Sequence, residues 1–413
     1  MTICVFEDDQ ATRLHPITLA RPAYAITCGA YRLIDWLRLL GQPLCGVVRH
    51  YLQELQRIEF ADLATAPRIA PHWFLNARLI PSVANFRQLQ QWMRDEAPGV
   101  VYAGDEVAGA CLPAHGSTHA DLSSPEALAA YLAGLPVRDL PQRDYSFKLF
   151  TYPHDVIREN MQILGGNLEH RLAAGGYQEI RPGVFAAGGA VIADYVVTDT
   201  KAGPIVLDEH ASIGPFCYLR GPAYVGHHAK LIEHAAIKDA VSAGHTTKIG
   251  GEVEAAVIEP FTNKQHHGFL GHSYLGSWIN LGAGTCNSDL KNTYGKVNLE
   301  YRGEKVSTGM QFVGCIMGDY AKTAINTGIF TGKIIGACSM LYGFVTTNVP
   351  SFVNYARLFG QVTELPPEVM VAAQHRMFNR RSFAQRPCDV KLIHDMFELT
   401  RAERQLAGEP ISL

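Results

Sequence analysis

Residues 213–249 read IGPFCYLRGPAYVGHHAKLIEHAAIKDAVSAGHTTKI, and every sixth residue from the first is aliphatic: Ile213, Leu219, Val225, Leu231, Ile237, Ala243 and Ile249. Gly214, Gly226 and Gly250 directly follow three of them. The frame shifts and resumes as Phe269, Leu275 and Leu281. It resumes again as Met317, Thr323, Ile329, Ile335 and Leu341, with Gly276, Gly282, Gly318 and Gly336 behind and only Thr323 polar. A period of six is neither that of a helix nor that of a flat strand. Three short strands of six residues close a triangular coil of about eighteen residues, in which each strand sends one aliphatic side chain inward and the corners take small residues. The spacing therefore predicts a parallel β-helix over about 182–345, of the left-handed variety to which such hexapeptide repeats belong. The out-of-phase stretches 256–268 and 286–312 read as loops inserted between coils, and insertions in repeat folds gather on a binding face. An antiparallel sandwich would instead show period two within its strands.

The flanks have a different texture. Residues 1 to about 175 alternate strand-like runs (3–6, 46–48, 100–102) with helical stretches (30–40, 84–95, 125–134), the pattern of an α/β layer fold. Beyond Tyr152-Pro153-His154-Asp155 an amphipathic segment, 155–164, runs into Gly165-Gly166-Asn167 and Ala173-Ala174-Gly175-Gly176, where the pattern breaks. Past 350, PPEVMVAAQHRMFNRR (366–381) and CDVKLIHDMFELTRAERQLAG (388–408) carry apolar residues at helical spacing, separated by Pro387. The expected organisation is an α/β nucleotidyltransferase-like (Rossmann-like) domain over 1–178, a left-handed β-helix over 179–350 and a helical tail over 351–413.

Composition narrows the function classes. In 413 residues, 36 Lys and Arg stand against 39 Asp and Glu, a net charge of −3, so no basic surplus exists to attract nucleic acid or an anionic membrane. The 9 cysteines are odd in number and form no CxxC pair, which argues against a disulfide framework or a zinc knuckle. The opening MTICVFEDDQ is acidic, and no apolar run approaches the roughly 20 residues of a membrane span. A cytoplasmic protein with reduced thiols is the expectation.

After the strand 3–6 comes FEDDQATRLHPITLARPAYAI, at the position where α/β folds place a nucleotide-binding loop. Its frame Thr12, Arg13, Leu14, Pro16, Thr18, Arg21, Pro22, with Leu33-Ile34-Asp35-Trp36 further on, is similar to the N-terminal signature of sugar-1-phosphate nucleotidyltransferases. The family's glycine-rich loop is replaced here by Glu7-Asp8-Asp9-Gln10-Ala11, and the lysine after Arg-Pro by Ala23. Acidic side chains there repel a triphosphate unless Mg²⁺ lies between. Two readings stand: a divergent nucleotidyltransferase using Arg13 and Arg21 with Asp8 or Asp9 on the metal, or a scaffold domain without catalysis. Asn76 and Arg78 in PHWFLNARLIP are placed to contact a sugar. Asp105, after the strand 100–102, is similar to the Gly-Asp that holds the family's Mg²⁺, though Gly-Asp is also a common plain turn.

IGPFCYLRGPAYVG (213–226) and NKQHHGFLGHSYLGSWINLGAGTCNSDLKNTYGKV (263–297) resemble the acetyltransferase half of the bifunctional N-acetylglucosamine-1-phosphate uridylyltransferase/glucosamine-1-phosphate acetyltransferase family, and more specifically an alternate bacterial form of it. The resemblance implies that Arg220 binds the sugar phosphate, that His266 takes the proton of the sugar amine as it attacks acetyl-CoA, and that Asn280 positions the sugar or the thioester. Asn263, Lys264, Asn287 and Lys291 join the sugar-binding set. Gly282, Ala283 and Gly284 offer backbone amides to the thioester carbonyl. Phe269 stands where the family has a tyrosine, and a family lysine upstream of the histidine finds no counterpart in 251–256, so either Lys264 substitutes for it or the phosphate is held differently.

Among the 17 histidines, His267 and His272 are alternatives to His266, while His227, His228, His234 and His245 fall at coil corners and face solvent. Asn280, Asn287 and Asn292 also suit a structural asparagine ladder, and Cys286 and Cys315 suit packing. The function the resemblance implies is acetyl transfer from acetyl-CoA to an amino-sugar-1-phosphate, coupled to nucleotidyl transfer from UTP with Mg²⁺, in a homotrimer. Two rivals stand beside it: an acyltransferase with a scaffold N-terminal domain, and a non-catalytic sugar-nucleotide-binding trimer.

Overall fold

The computed structural model describes residues 2–63, 72–113, 127, 130, 131 and 133–406. Half of the helical stretch expected over 125–134 lies outside the described residues. The chain divides into two compact units. The first comprises Met1–Leu14, Arg21–Ile26 and Tyr31–Thr151; the second comprises His15–Ala20, Thr27–Ala30 and Tyr152–Leu413.

The first unit is built on five strands, β1 (Ile3–Phe6), β2 (Leu44–Val47), β3 (Trp73–Asn76), β4 (Gly99–Ala103) and β5 (Glu106–Cys111), in the order β2-β1-β3-β5-β4. β1 lies parallel between β2 and β3, and β5 runs antiparallel to β3 and β4. Ile3, Cys4 and Val5 are wholly buried because a central parallel strand is covered on both faces. The same covering hides β3 from a sequence reading, since all four of its residues are buried and none alternates. Helices α1 (Leu33–Arg38), α2 (Gln53–Glu59) and α3 (Val83–Asp95) flank the sheet. Ser82 caps α3 by accepting the Asn85 N–H, and Phe86, Leu89 and Trp92 form its buried stripe. Trp36 packs between Tyr31 and Phe86 at ring distances of 4.4 and 4.6 Å, while Asp35 accepts from Arg32 to cap α1, so the Leu-Ile-Asp-Trp segment is a packing element.

The second unit is a parallel β-helix of the hexapeptide type. Ile205, Ala223 and Val241 are direct neighbours in one sheet at a repeat of 18 residues, which is three sixes. The inward residues from Ile213 to Ile249 and from Met317 to Leu341 are buried as the period predicts, and Thr323 fits by accepting from Gly282 N–H and sharing a hydrogen bond with Thr285. Corner residues His210, Phe216, His228, His234, Ala240 and Thr246 all have positive φ, six or twelve residues apart, so corner geometry rather than glycine content marks the turns.

Three expectations change. First, 256–268 is no inserted loop: Val257–Ile258 and Asn263–Lys264 continue the ladders, and Ile258, Lys264 and Leu270 keep the period of six in a shifted frame. Leu270, not Phe269, points inward, because a further slip of one residue lies between Leu270 and Leu275. Second, Cys286–Asn287 still belongs to a coil; the insertion follows it and carries the antiparallel hairpin Asn298–Tyr301/Glu304–Ser307. Third, helix α4 (His154–Ala173) runs straight through Gly165-Gly166. Burial of Leu164 and Leu168 against Val206 and Tyr224 outweighs a helix penalty of about 1 kcal/mol per glycine.

Two N-terminal peptides complete this unit. Gly29, at φ 61, donates to Asn160 and accepts from Asn167 of α4, and a Cβ there would overlap Asn167 and Ile163. Thr27 donates its N–H and hydroxyl to the buried Glu259, which also accepts from Tyr274. After the last coils, Val353–Ala356 pairs antiparallel with Gln361–Glu364, and helices α5 (Pro367–Asn379), α6 (Pro387–Leu399) and α7 (Arg401–Leu406) follow. The tail is docked: Phe378 and Phe383 pack on Trp278 and Phe261, and Arg404 pairs with Glu364.

Candidate active sites

In the first unit the acidic loop is organised from within. Glu7, almost wholly buried, accepts from the Ala23 and Arg49 N–H groups and from the Arg49 guanidinium, fixing the loop entrance. Asp8 takes two bonds from Arg78, at 2.8 and 2.6 Å, and a third from Asn76 at 2.7 Å. Arg78 also donates to Glu106 Oε2 and to the Phe150 carbonyl, both at 2.6 Å. Its guanidinium is held charged by Asp8 and Glu106 against the opposing pull of burial.

This corrects two expectations. Asn76 and Arg78 are fully buried, so they hold the Asp8 loop in place instead of reaching a sugar. Asp8 has both oxygens engaged, Asp9 and Asp105 are exposed, and Asp105 lies in the two-residue turn between β4 and β5. The carboxylate that the turn delivers inward is its neighbour Glu106, which sequence reading passed over because Gly-Asp drew the eye. Among the described residues no three His, Cys, Asp or Glu side chains are grouped to hold a metal by themselves, and Mg²⁺ held by one or two carboxylates together with substrate phosphates needs no such group. Arg13 is exposed and Arg21 half-buried.

In the second unit the strand 218–220 carries Arg220, whose neighbour in register on the next coil is Lys238. The 18-residue repeat leads from Arg220 to Lys238 directly, and that is the signal by which this lysine was legible. Arg220 pairs with Asp239 and Lys238 with Glu252, the latter at 2.6 Å, while the Arg220 Nε is buried without a partner. These pairs are exposed enough to cost little to break.

His266 and His267 lie exposed at a coil corner. Beneath them Lys264 occupies an inward position, 2% exposed, its ammonium donating to the Gly250 and His266 carbonyls at 2.8 and 2.7 Å. Burial lowers its pKa from 10.5 to about 8. Lys264 is therefore no sugar ligand; it fixes the backbone that bears His266. Asn287 is likewise inward and buried, bonding both the N–H and the carbonyl of Gly271 across a coil step, which is the structural ladder role. Asn263 accepts from Arg381, Asn280 is exposed on the same column, and Lys291 is partly exposed in the insertion.

The Gly282 N–H is taken by Thr323 and that of Gly284 by the His267 carbonyl, while the Ala283 amide meets no acceptor among the described residues. One arrangement had no signal in the sequence beyond the residue types: His272 Nδ1 lies 2.9 Å from Asp289 Oδ2, and its ring stacks on Phe312 at 5.1 Å. Gly271 makes room for it, since a Cβ there would overlap the Asp289 carboxylate and the Phe269 ring. All nine thiols are free.

Residues 3–172 match the sequence model of the sugar nucleotidyl transferase family. The chain is 28% identical over 159 residues to a bifunctional sugar-1-phosphate nucleotidylyltransferase/acetyltransferase of Sulfurisphaera tokodaii, covering 38% of this chain and 39% of the relative. It is 27% identical over 119 residues to the bifunctional protein GlmU of Methanococcus vannielii, covering 29% and 28%. The chain thus spans well under half the length of these relatives. A solved UDP-N-acetylglucosamine acyltransferase from Francisella novicida aligns over 55% of this chain and 82% of its own at 17% identity, with a TM-score of 0.29. Residues 3–172 thus form a domain similar to the sugar nucleotidyl transferases, and the chain that carries it ahead of a hexapeptide β-helix is similar over part of its length to bifunctional nucleotidylyltransferase/acetyltransferases.

Proposed function

We propose that the chain acetylates the amine of an amino-sugar-1-phosphate with acetyl-CoA on its β-helix and transfers a nucleotidyl group from UTP to a sugar-1-phosphate on its N-terminal domain. The observations that support the first activity are a cationic step, Arg220 beside Lys238, and an exposed imidazole, His266, whose backbone is anchored from inside by Lys264. In this reading the two cations exchange their exposed carboxylate partners for the sugar phosphate. The amine attacks the thioester carbonyl, His266 takes its proton, and the C–S bond breaks to release the CoA thiolate, which is reprotonated. The Ala283 amide and the Asn280 side chain face the thioester or the sugar.

The family match supports the second activity. The Arg78–Asp8–Asn76 lock favours a rival in which the domain is a scaffold, because it ties up the carboxylate that a nucleotidyltransferase would use. A homotrimer belongs to the proposal too, and the exposed Val191, Tyr195, Val197 and Phe216 on the first coils give it an apolar surface.

The test is incubation of the full chain with glucosamine-1-phosphate, acetyl-CoA, UTP and Mg²⁺, with His266→Ala as control and products read by mass spectrometry. UDP-N-acetylglucosamine supports both activities. N-acetylglucosamine-1-phosphate alone supports the scaffold rival, and no product in either step refutes the assignment for these substrates.

A further inference from the structure

One face of the β-helix carries charges that the acetyl-transfer step does not use. Its outward column runs Lys230, Lys248, Asn263, Asn280, Lys322 in strand register, at about 4.8 Å per step. The tail adds Arg380 and Arg381, and Arg381 Nη2 donates to Asn263 Oδ1 at 2.8 Å, which lays a guanidinium over the middle of the column. Lys248 is held below the ordinary lysine range, first by burial and then by Arg381, Lys230 and Arg380. Lys322 is half-buried and donates to the Tyr320 carbonyl at 2.9 Å. Among the described residues no carboxylate forms an ion pair with any of these five cations.

Like charges opposed on neighbouring strands destabilise a sheet, so the arrangement costs stability while nothing neutralises it. Arg380 sits at the C-terminal end of α5, where the helix dipole favours a cation, while Arg381 has Asn263 and Lys322 the Tyr320 carbonyl. Lys230 and Lys248, on strands, make no such bond among the described residues. The column from Lys230 to Lys322 spans about 19 Å, too long for one phosphate and suited to several separated ones. An aromatic shelf borders it: Phe383, 47% exposed, meets Phe261 and Trp278 edge-on at 5.1 and 5.9 Å, and it lies two residues from Arg381 as Trp278 lies two from Asn280.

We propose that this face is a nucleotide-binding site, in which Lys230, Lys248, Lys322, Arg380 and Arg381 hold the phosphates and the Phe383 shelf takes the base. The chemistry fits two sources, the CoA moiety of an acyl donor or a free nucleotide or nucleotide sugar. Only the first source rests on the acetyl-transfer reading.

The experiment is isothermal titration calorimetry on the full chain with CoA, 3′-dephospho-CoA, UTP and UDP-N-acetylglucosamine, for the wild type and for the K230Q/K248Q and R380Q/R381Q variants. The expected result is binding of at least one of these by the wild type, weakened roughly tenfold or more in both variants. With no ligand present, the lysine variant melts higher than the wild type, since it removes repulsion, and this a merely structural role would not produce. CoA bound more tightly than its 3′-dephospho form identifies the acyl donor as the source; a variant-sensitive UTP or nucleotide-sugar isotherm identifies the other. Unchanged binding of all four in both variants, or none by the wild type, overturns the site. Because binding needs no turnover, a wild type that binds but does not acetylate refutes the proposed function and leaves this site standing.

Discussion

Lys264→Met removes a buried ammonium while keeping most of the side-chain volume. In the folded chain the Lys264 pKa falls from 10.5 to about 8, which corresponds to about 3 kcal/mol at ~1.4 kcal/mol per pKa unit. The direction follows from linkage: the folded chain binds this proton less tightly than the unfolded chain does. Folding is therefore penalised in full below about pH 8, and the penalty lifts as pH rises from about 8 to 10.5. The variant carries no such penalty, but it leaves the Gly250 and His266 carbonyls without the ammonium, a loss of about 1.5–3 kcal/mol for each charge-assisted bond. Near neutral pH the two effects nearly offset, and the variant is less stable by no more than about 3 kcal/mol. The difference then widens with pH, because the wild type alone gains about 3 kcal/mol across that window. Urea unfolding of both proteins at intervals from pH 7.5 to 10.5 reads it directly. Parallel pH profiles would refute the reasoning, since they would mean that Lys264 titrates alike in the folded and unfolded chains.

Other perturbations follow from the same geometry. Arg78→Met strands Asp8 and Glu106, each still about a quarter exposed, and is expected to lower stability by about 2–4 kcal/mol, with a matching fall in any nucleotidyl transfer; chemical denaturation and the coupled assay check both. Gly271→Ala drives a methyl group into the Asp289 carboxylate, so it should release His272 and cost about 1–3 kcal/mol, read by urea unfolding and by a changed chemical shift of the His272 ring protons as it leaves Phe312. His227, stacked on His245 at 4.5 Å, is held below the ordinary histidine range first by burial and then by His228 and His210, outweighing Asp208 and Glu209. Its contribution to stability is complete above about pH 6.5 and is lost as pH falls, so His227→Gln should flatten the drop in melting temperature between pH 7 and 5.

The β-helix was legible because its period is a property of neighbouring residues, and each inward aliphatic announces itself. Where the sequence misled, a polar residue occupied an inward place. Lys264 and Asn287 keep the period of six from Ile258 and Leu281, yet their chemistry argued for a ligand, and only their backbone partners three or more strands of chain away show that they serve the coil. The tail's part could not be read at all, because Arg381 meets Asn263 across 118 residues. Lys238 was within reach, eighteen residues past Arg220, once the coil length had been taken as a ruler.

The peptides His15–Ala20 and Thr27–Ala30 belong to the second unit although they precede it by more than a hundred residues. The apparent junction near residue 178 is therefore not a seam at which the gene can be cut. A recombination event there would deliver a β-helix whose Glu259 has lost Thr27 and whose Ala240 carbonyl and Ser242 hydroxyl have lost Asn160. Such a fragment enters its new host with unsatisfied polar groups where the donor chain had supplied partners. The two halves are thereby bound to a shared inheritance, and an ancestor that joined them by simple fusion must since have acquired this interlacing, or the pair diverged together from the start.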